Sequence, residues 1–256
     1  MTLRVPYIAD ETIERDAEAL LAQYAHAKRL EVKPPIAIED IVEKHLKLRV
    51  EFDDLHRLLG VPRDESGIPD IFGAIWLETG EIIIDESLDP EERPRAEGRY
   101  RFTLAHEGGG HWRLHRPLVQ ANNGQESLFG DTSRPTVVCR SSQAKERVEL
   151  QADLYASCLL MPRKLVMQAW RDKFGHDHPR VLRRKERIAV QCDTEDEMAL
   201  ALRAFDQARD DEALEYFARP FAKQFLVSPV AMRVRLERLG LLQREVPRQR
   251  SLVVQQ

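Results

Sequence analysis

Imidazoles and carboxylates gather in one short run of this chain, His106-Glu107-Gly108-Gly109-Gly110-His111, and two further acids follow at Glu149 and Asp153. Neutral imidazole nitrogen and carboxylate oxygen are donors that zinc favours, and a catalytic zinc site takes three protein ligands and leaves a fourth position for water. His106, His111 and Glu149 would be the three ligands. Glu107, beside the first of them but not bound to the metal, would be the general base. It would take a proton from the attacking water and pass it to the leaving amine of a cleaved peptide bond. Asp153 follows Glu149 by one helical turn, so the two share a face. Asp153 can then accept a hydrogen bond from the outer nitrogen of a ligating histidine and fix its tautomer.

The spacing is one residue longer than the HExxH pattern of zinc peptidases, in which the histidines stand at i and i+4. An α-helix turns about 100° per residue, which offsets i and i+4 by ~40° but i and i+5 by ~140°. A regular helix would keep His106 and His111 from gripping one ion. A π-bulge, whose i→i+5 bonding absorbs one residue, restores a common face, and Gly108 to Gly110 permit the unusual dihedrals. The same glycines weaken a helix by about 1 kcal/mol each relative to alanine. Two outcomes compete: a bulged helix with a shared ion, or a helix broken at the glycines. The bland alternative is a helix with two incidental histidines and a surface carboxylate pair.

Other candidates carry less chemistry. His111 and His115 form an i, i+4 pair of their own, but no glutamate adjoins the first, so His115 is expected as a hydrogen-bonding residue near a helix end. His176 and His178 flank Asp177 in a loop-like, solvated segment, and His26, His45 and His56 are expected at the surface. Cys139, Cys158 and Cys192 are odd in number and widely spaced, which fits a reducing cytosol and inert thiols better than a disulfide scaffold.

The elements that must position these residues are legible in part. Residues 10–30 carry Ile13, Ala17, Leu20, Leu21 and Tyr24 at helical spacing. Residues 38–45 predict a second helix and 48–52 a short strand. Ile71 to Leu77, the turn Glu78-Thr79-Gly80 and Glu81 to Asp85 predict a hairpin. The motif helix is expected over 99–115, stopped by Pro117. Residues 120–142 read as an irregular connection, 144–161 as a helix ended by Pro162, and 163–174 as another helix.

The chain of 256 residues is 43% hydrophobic, enough for a core. Its net charge of −4 gives no general attraction to nucleic acid. The N-terminal residues start no apolar run and no stretch reaches the ~18 apolar residues of a membrane span. A cytoplasmic protein is expected.

The residues Arg101 to Glu107, His111 to His115, Glu149 to Ala156 and Leu159 to Pro162 resemble the ImmA/IrrE metallopeptidases. The hairpin from Gly73 to Ile84 and the segment from Val227 to Leu242 are similar to that family too. The resemblance covers roughly residues 35–165 and 216–242. It implies an α+β fold with a zincin-like core, a small twisted sheet packed on the motif helix, and a second helix giving the glutamate ligand. It implies His106, His111 and Glu149 as zinc ligands and Glu107 as base. The family has two residues between the glutamate and the second histidine; this chain has three. The implied activity is cleavage of a helix-turn-helix transcriptional repressor, often encoded nearby, to relieve repression of stress-response or mobile-element genes.

Three segments are expected: 1–60, helical with the first strand; 61–175, the metallopeptidase core; and 176–256, helical. Within the last, 216–242 reads as two short amphipathic helices in a helix-turn-helix-like arrangement, with Ser228 as N-cap and Pro229 at the first helical position. Arg233, Arg235, Arg238, Arg244, Arg248 and Arg250 make this end basic, and DNA contact is the less favoured reading of them. A zinc endopeptidase specific for a repressor leads, with the outer strand of the hairpin holding the substrate backbone by β-addition. A catalytically impaired binding regulator and a DNA-binding module are the alternatives.

Overall fold

The computed structural model describes residues 5–63, 70–122, 135–140, 146–182 and 207–244. The architecture is α+β, helices with a small mixed sheet, and the chain forms two compact units. The first comprises Met1–Val166 with Lys223–Ser228, the second Met167–Ala222 with Pro229–Gln256.

The first unit opens on helix α1, Asp10–Lys28, whose five predicted apolar positions are all buried. Asp10 and Glu11 in its first turn and Lys28 in its last complement the helix dipole. Its buried stripe packs on α5, Arg147–Leu160. Between them Tyr155 donates its hydroxyl hydrogen to Asp16 at 2.8 Å, and Arg113 Nε donates to the same carboxylate oxygen at 3.2 Å.

The sheet has the order β1-β3-β2-β4, built from Arg49–Asp53, Glu81–Asp85, Ile71–Trp76 and Val137–Arg140. β2 and β3 form the expected hairpin, closed by Gly80 at φ 76°, whose N–H donates to the Trp76 carbonyl at 2.9 Å. β1 lies parallel to β3 and β4 antiparallel to β2. Both hairpin strands are therefore flanked, and among the described residues the sheet's edges are β1 and β4. Contrary to the expectation from sequence, the hairpin has no outer strand open for β-addition, since β2 and β3 are both paired on each side.

β4 itself lies inside the span read as an irregular connection. Val137 and Val138 are β-branched, but four residues are too few to assert a strand without the partner β2, which lies about 60 residues earlier. Residues 38–45 are helical with π geometry from Asp40 to His45. His56 is not at the surface: it is buried in α2, Leu55–Leu59, with Nδ1 3.1 Å from the Val61 carbonyl and Nε2 3.3 Å from the Asp70 carboxylate.

The motif helix runs as α3, Glu97–Ala105, a π-helix, His106–His115, and α4, Arg116–Asn122. Pro117 does not stop it. The proline is the second residue of α4, directly after the π-helical stretch, and the chain stays helical through it.

In the second unit, Trp170 and Phe221 stack with centroids 5.7 Å apart, as do Phe174 and Phe217 at 6.0 Å. β5, Arg180–Leu182, pairs in parallel with β6, Leu242–Arg244. His176 and His178 are exposed, as expected. Helix α6 is Arg163–Phe174, α7 is Gln207–Phe225 and α8 is Pro229–Arg238. The helix before Pro229 is thus long, not short. Arg248, Arg250 and Cys192 lie outside the described residues. Among those described, no helix is long and apolar enough to cross a membrane.

Candidate metal centre

The π-helix is what the extra residue requires. The Arg116 N–H donates to the His111 carbonyl, five residues back, and the wider turn returns His111 to the face of His106. The rings meet edge to face with centroids 4.7 Å apart, and the two Nε2 atoms are 3.0 Å from each other. Glu149 reaches in from α5, with Oε2 3.2 Å from His106 Nε2 and Oε1 3.5 Å from His111 Nε2. Asp153 Oδ1 lies 3.0 Å from His106 Nδ1. The residues singled out by spacing do converge, and His106, His111 and Glu149 form a group that could hold a metal ion.

The glycines act by their lack of bulk. A Cβ at Gly110 would lie 2.5 Å from Ala152 Cβ and 2.6 Å from its Cα. At Gly109 it would meet the Tyr155 ring at 2.7 Å, and at Gly108 the Val42 side chain at 2.8 Å. On the sheet side, a Cβ at Gly73 would lie 2.7 Å from Glu107 Oε1. Glycine lets the motif helix approach both α5 and β2 closely enough for the ligands to meet.

Three more residues gather here: His115, which hydrogen-bonds near a helix end as expected, Gln151, which carried no signal in the sequence, and Cys139, expected there only as an inert thiol. His115 is fully buried, with Nδ1 3.2 Å from His111 Nδ1 and Nε2 3.1 Å from Gln151 Oε1; Gln151 Nε2 in turn donates to the Pro6 carbonyl at 3.1 Å. A carbonyl only accepts, so the Gln151 amide presents its oxygen to His115. His115 Nε2 must then carry the hydrogen, its Nδ1 must accept, and His111 Nδ1 must donate. That chain leaves the lone pair of His111 Nε2 facing Glu149. Asp153 does the same for His106 by accepting from Nδ1–H. Burial holds His111 well below the ordinary histidine range, with repulsion from His106 and His115 adding, and burial takes His115 down to about 4. The relay is therefore neutral.

The third residue is Cys139 on β4, whose thiol, His106 and Glu107 offer atoms within 4.8 Å of one another. Glu107 is fully buried, and neither carboxylate oxygen has a hydrogen-bond partner. Burial raises its pKa to about 8; Glu149 and Asp153 add to the rise and His106 opposes it.

With both imidazoles in this tautomer three acceptors converge, an arrangement that a cation would satisfy. Without a metal, a proton serves. Burial opposes charging His106, but Cys139, Asp153 and Glu149 outweigh it and raise its pKa well above the usual value. A metal binding here would have to displace that proton, so its apparent affinity should rise with pH, by about tenfold per unit for each proton that binding releases. Calorimetric titration at pH 6 and 7 in two buffers of different ionisation heat measures the proton directly; pH-independent binding without proton release would contradict this account. Replacing Gln151 by Leu should break the relay behind His111 and weaken metal binding by about 10- to 100-fold, measured against a competing chelator. Unchanged affinity would mean that His111 is oriented by packing alone.

No family model matches the chain, and no curated protein matches it.

Proposed function

We propose that this chain is a zinc-dependent endopeptidase that cuts a specific partner protein, a helix-turn-helix transcriptional repressor, and so relieves repression. One observation carries the reading: His106, His111 and Glu149 present three acceptors to one point, with the partnerless Glu107 carboxylate beside them. Two neutral imidazoles and a carboxylate suit zinc in particular. In this reading the β1–β4 sheet, the motif helix and α5 constitute a zincin-like core. The repressor as substrate rests on the family resemblance.

Zinc would supply Lewis acidity and lower the pKa of water to about 7. The protein does the rest. Asp153 and the His115–Gln151 relay hold the two imidazoles in the tautomer that presents Nε2. Glu107, whose pKa a neighbouring cation brings down from about 8, takes the proton of the attacking water and returns it to the leaving amine. β4, an edge strand among the described residues, carries Cys139 beside the centre, and in this reading a substrate backbone pairs there by strand addition.

The π-helix supports this reading over a catalytically impaired protein, because it brings both imidazoles to one face despite the extra residue. The DNA-binding alternative loses part of its charge to internal pairs. Arg233 lies 2.8 Å from Glu237 and 3.4 Å from Glu215, Arg244 lies 2.6 Å from Asp211, and Arg235 is buried.

The test is a zinc titration of chelator-stripped protein followed by incubation with the helix-turn-helix repressor encoded nearest to it. One zinc per chain, lost in His111→Ala, and a discrete zinc-dependent cut are expected. A partner that binds and stays intact in the presence of zinc would establish a binding regulator instead.

A further inference from the structure

The proposed chemistry leaves one position at the centre for water, and a thiol stands next to it. Cys139 is a free, buried cysteine on the edge strand β4. It shares a 4.8 Å neighbourhood with His106 and Glu107, whereas His106 forms its other such group with His111 and Glu149. Cys139 is thus grouped with Glu107, the proposed base, rather than with His111 and Glu149. Glu107 is wholly buried and both its oxygens lack partners. The strand pairing is irregular at this point. Register shifts between Ile71 and Gly73 of β2, opposite Arg140 and Cys139, and such irregularities re-aim side chains beside active sites.

We propose that Cys139 is a fourth, inhibitory ligand of the metal centre, which keeps the site closed until a strand docking on the β4 edge draws the thiol away. This rests on the metal reading above. On ligation the S–H bond breaks, the proton leaves to solvent and a sulfur–metal bond forms, with no change of oxidation state. Thiolate is a good ligand for zinc and binds it beside imidazole. While it is bound, Glu107 has no water to deprotonate. Engagement of a substrate backbone on β4 and opening of the metal position thereby become one event, which spares other proteins from cleavage.

Cobalt(II) in place of zinc tests this on the full chain without an activity assay. Stripped wild-type protein loaded with cobalt should show a near-ultraviolet thiolate-to-cobalt charge-transfer band beside the visible ligand-field bands. Cys139→Ser and Cys139→Ala should lose the charge-transfer band and keep the visible bands, which also report that the site is still folded. Cys158→Ser and Cys192→Ser should keep both. Cobalt bound with no charge-transfer band, or a band that survives loss of Cys139, overturns the inhibitory ligand but leaves the peptidase reading standing. No cobalt uptake by wild-type protein overturns both.

Discussion

Glu107→Gln is expected to lower cleavage by about 10²- to 10⁴-fold, the usual contribution of a general base, while the variant still binds one zinc. Glutamine keeps the shape of the side chain and cannot take the proton. The same substitution should also change stability in the metal-free protein. Burial raises the Glu107 pKa from 4.5 to about 8. The folded protein therefore holds a proton that the unfolded chain has lost between those values. Stability is fully present below pH 4.5, declines as pH rises and is lost by the time pH has passed about 8. Glutamine does not ionise, so the variant keeps what the wild type loses. At pH 9 the chelated variant should be the more stable by up to a few kcal/mol, at about 1.36 kcal/mol per pKa unit, and near pH 4.5 the two should converge. Thermal melts across this range measure it. Parallel pH profiles for the two proteins would show that Glu107 is not held neutral, and cleavage undiminished in the variant would remove it from the mechanism.

Gly110→Ala should damage both the fold and the centre. Its new methyl would lie 2.5 Å from Ala152 Cβ, 2.6 Å from its Cα and 3.2 Å from its carbonyl oxygen. Two of these are backbone atoms of α5, so the helix itself must move. Overpacking of this kind costs about 1–3 kcal/mol. Ala152 lies between Glu149 and Asp153, so the shift displaces the proposed ligand and the carboxylate beside His106, and at least a tenfold loss of zinc affinity is expected. Adding Ala152→Gly should not rescue it, because the clash with the α5 backbone remains. Gly108→Ala should be milder, since it meets a Val42 methyl at 2.8 Å, the end of a side chain. Calorimetry for melting temperature and chelator competition for affinity would rank the variants. Equal tolerance at Gly108 and Gly110 would mean that the motif helix does not pack on α5 as described.

Much of the frame was legible because it is written in local periodicity. Ile13 to Tyr24 repeat at helical spacing and are buried together; Ile71 to Asp85 run apolar, turn at Gly80 and return, as a hairpin must. β4 escaped notice because a four-residue strand is defined by its partner, and that partner lies far away in sequence. Pro117 misled because a proline reads as a helix end unless the geometry before it is known. His56 looked like a surface residue until Val61 and Asp70 closed around it.

The sequence by itself determined which donors the protein owns: two imidazoles, the carboxylates of Glu107, Glu149 and Asp153, and their order on two helices. These follow from residue type and from the turn of a helix. It could not decide between a bulged helix and a broken one, since three glycines permit both. That choice was made by packing, in which the absence of three methyl groups lets the motif helix close on Ala152, Tyr155 and Val42 and hold π geometry. Tertiary structure alone also brought Pro6, Gln151 and His115 behind His111, and Cys139 beside Glu107. Approaches between residues so distant in the chain leave no period or spacing to read.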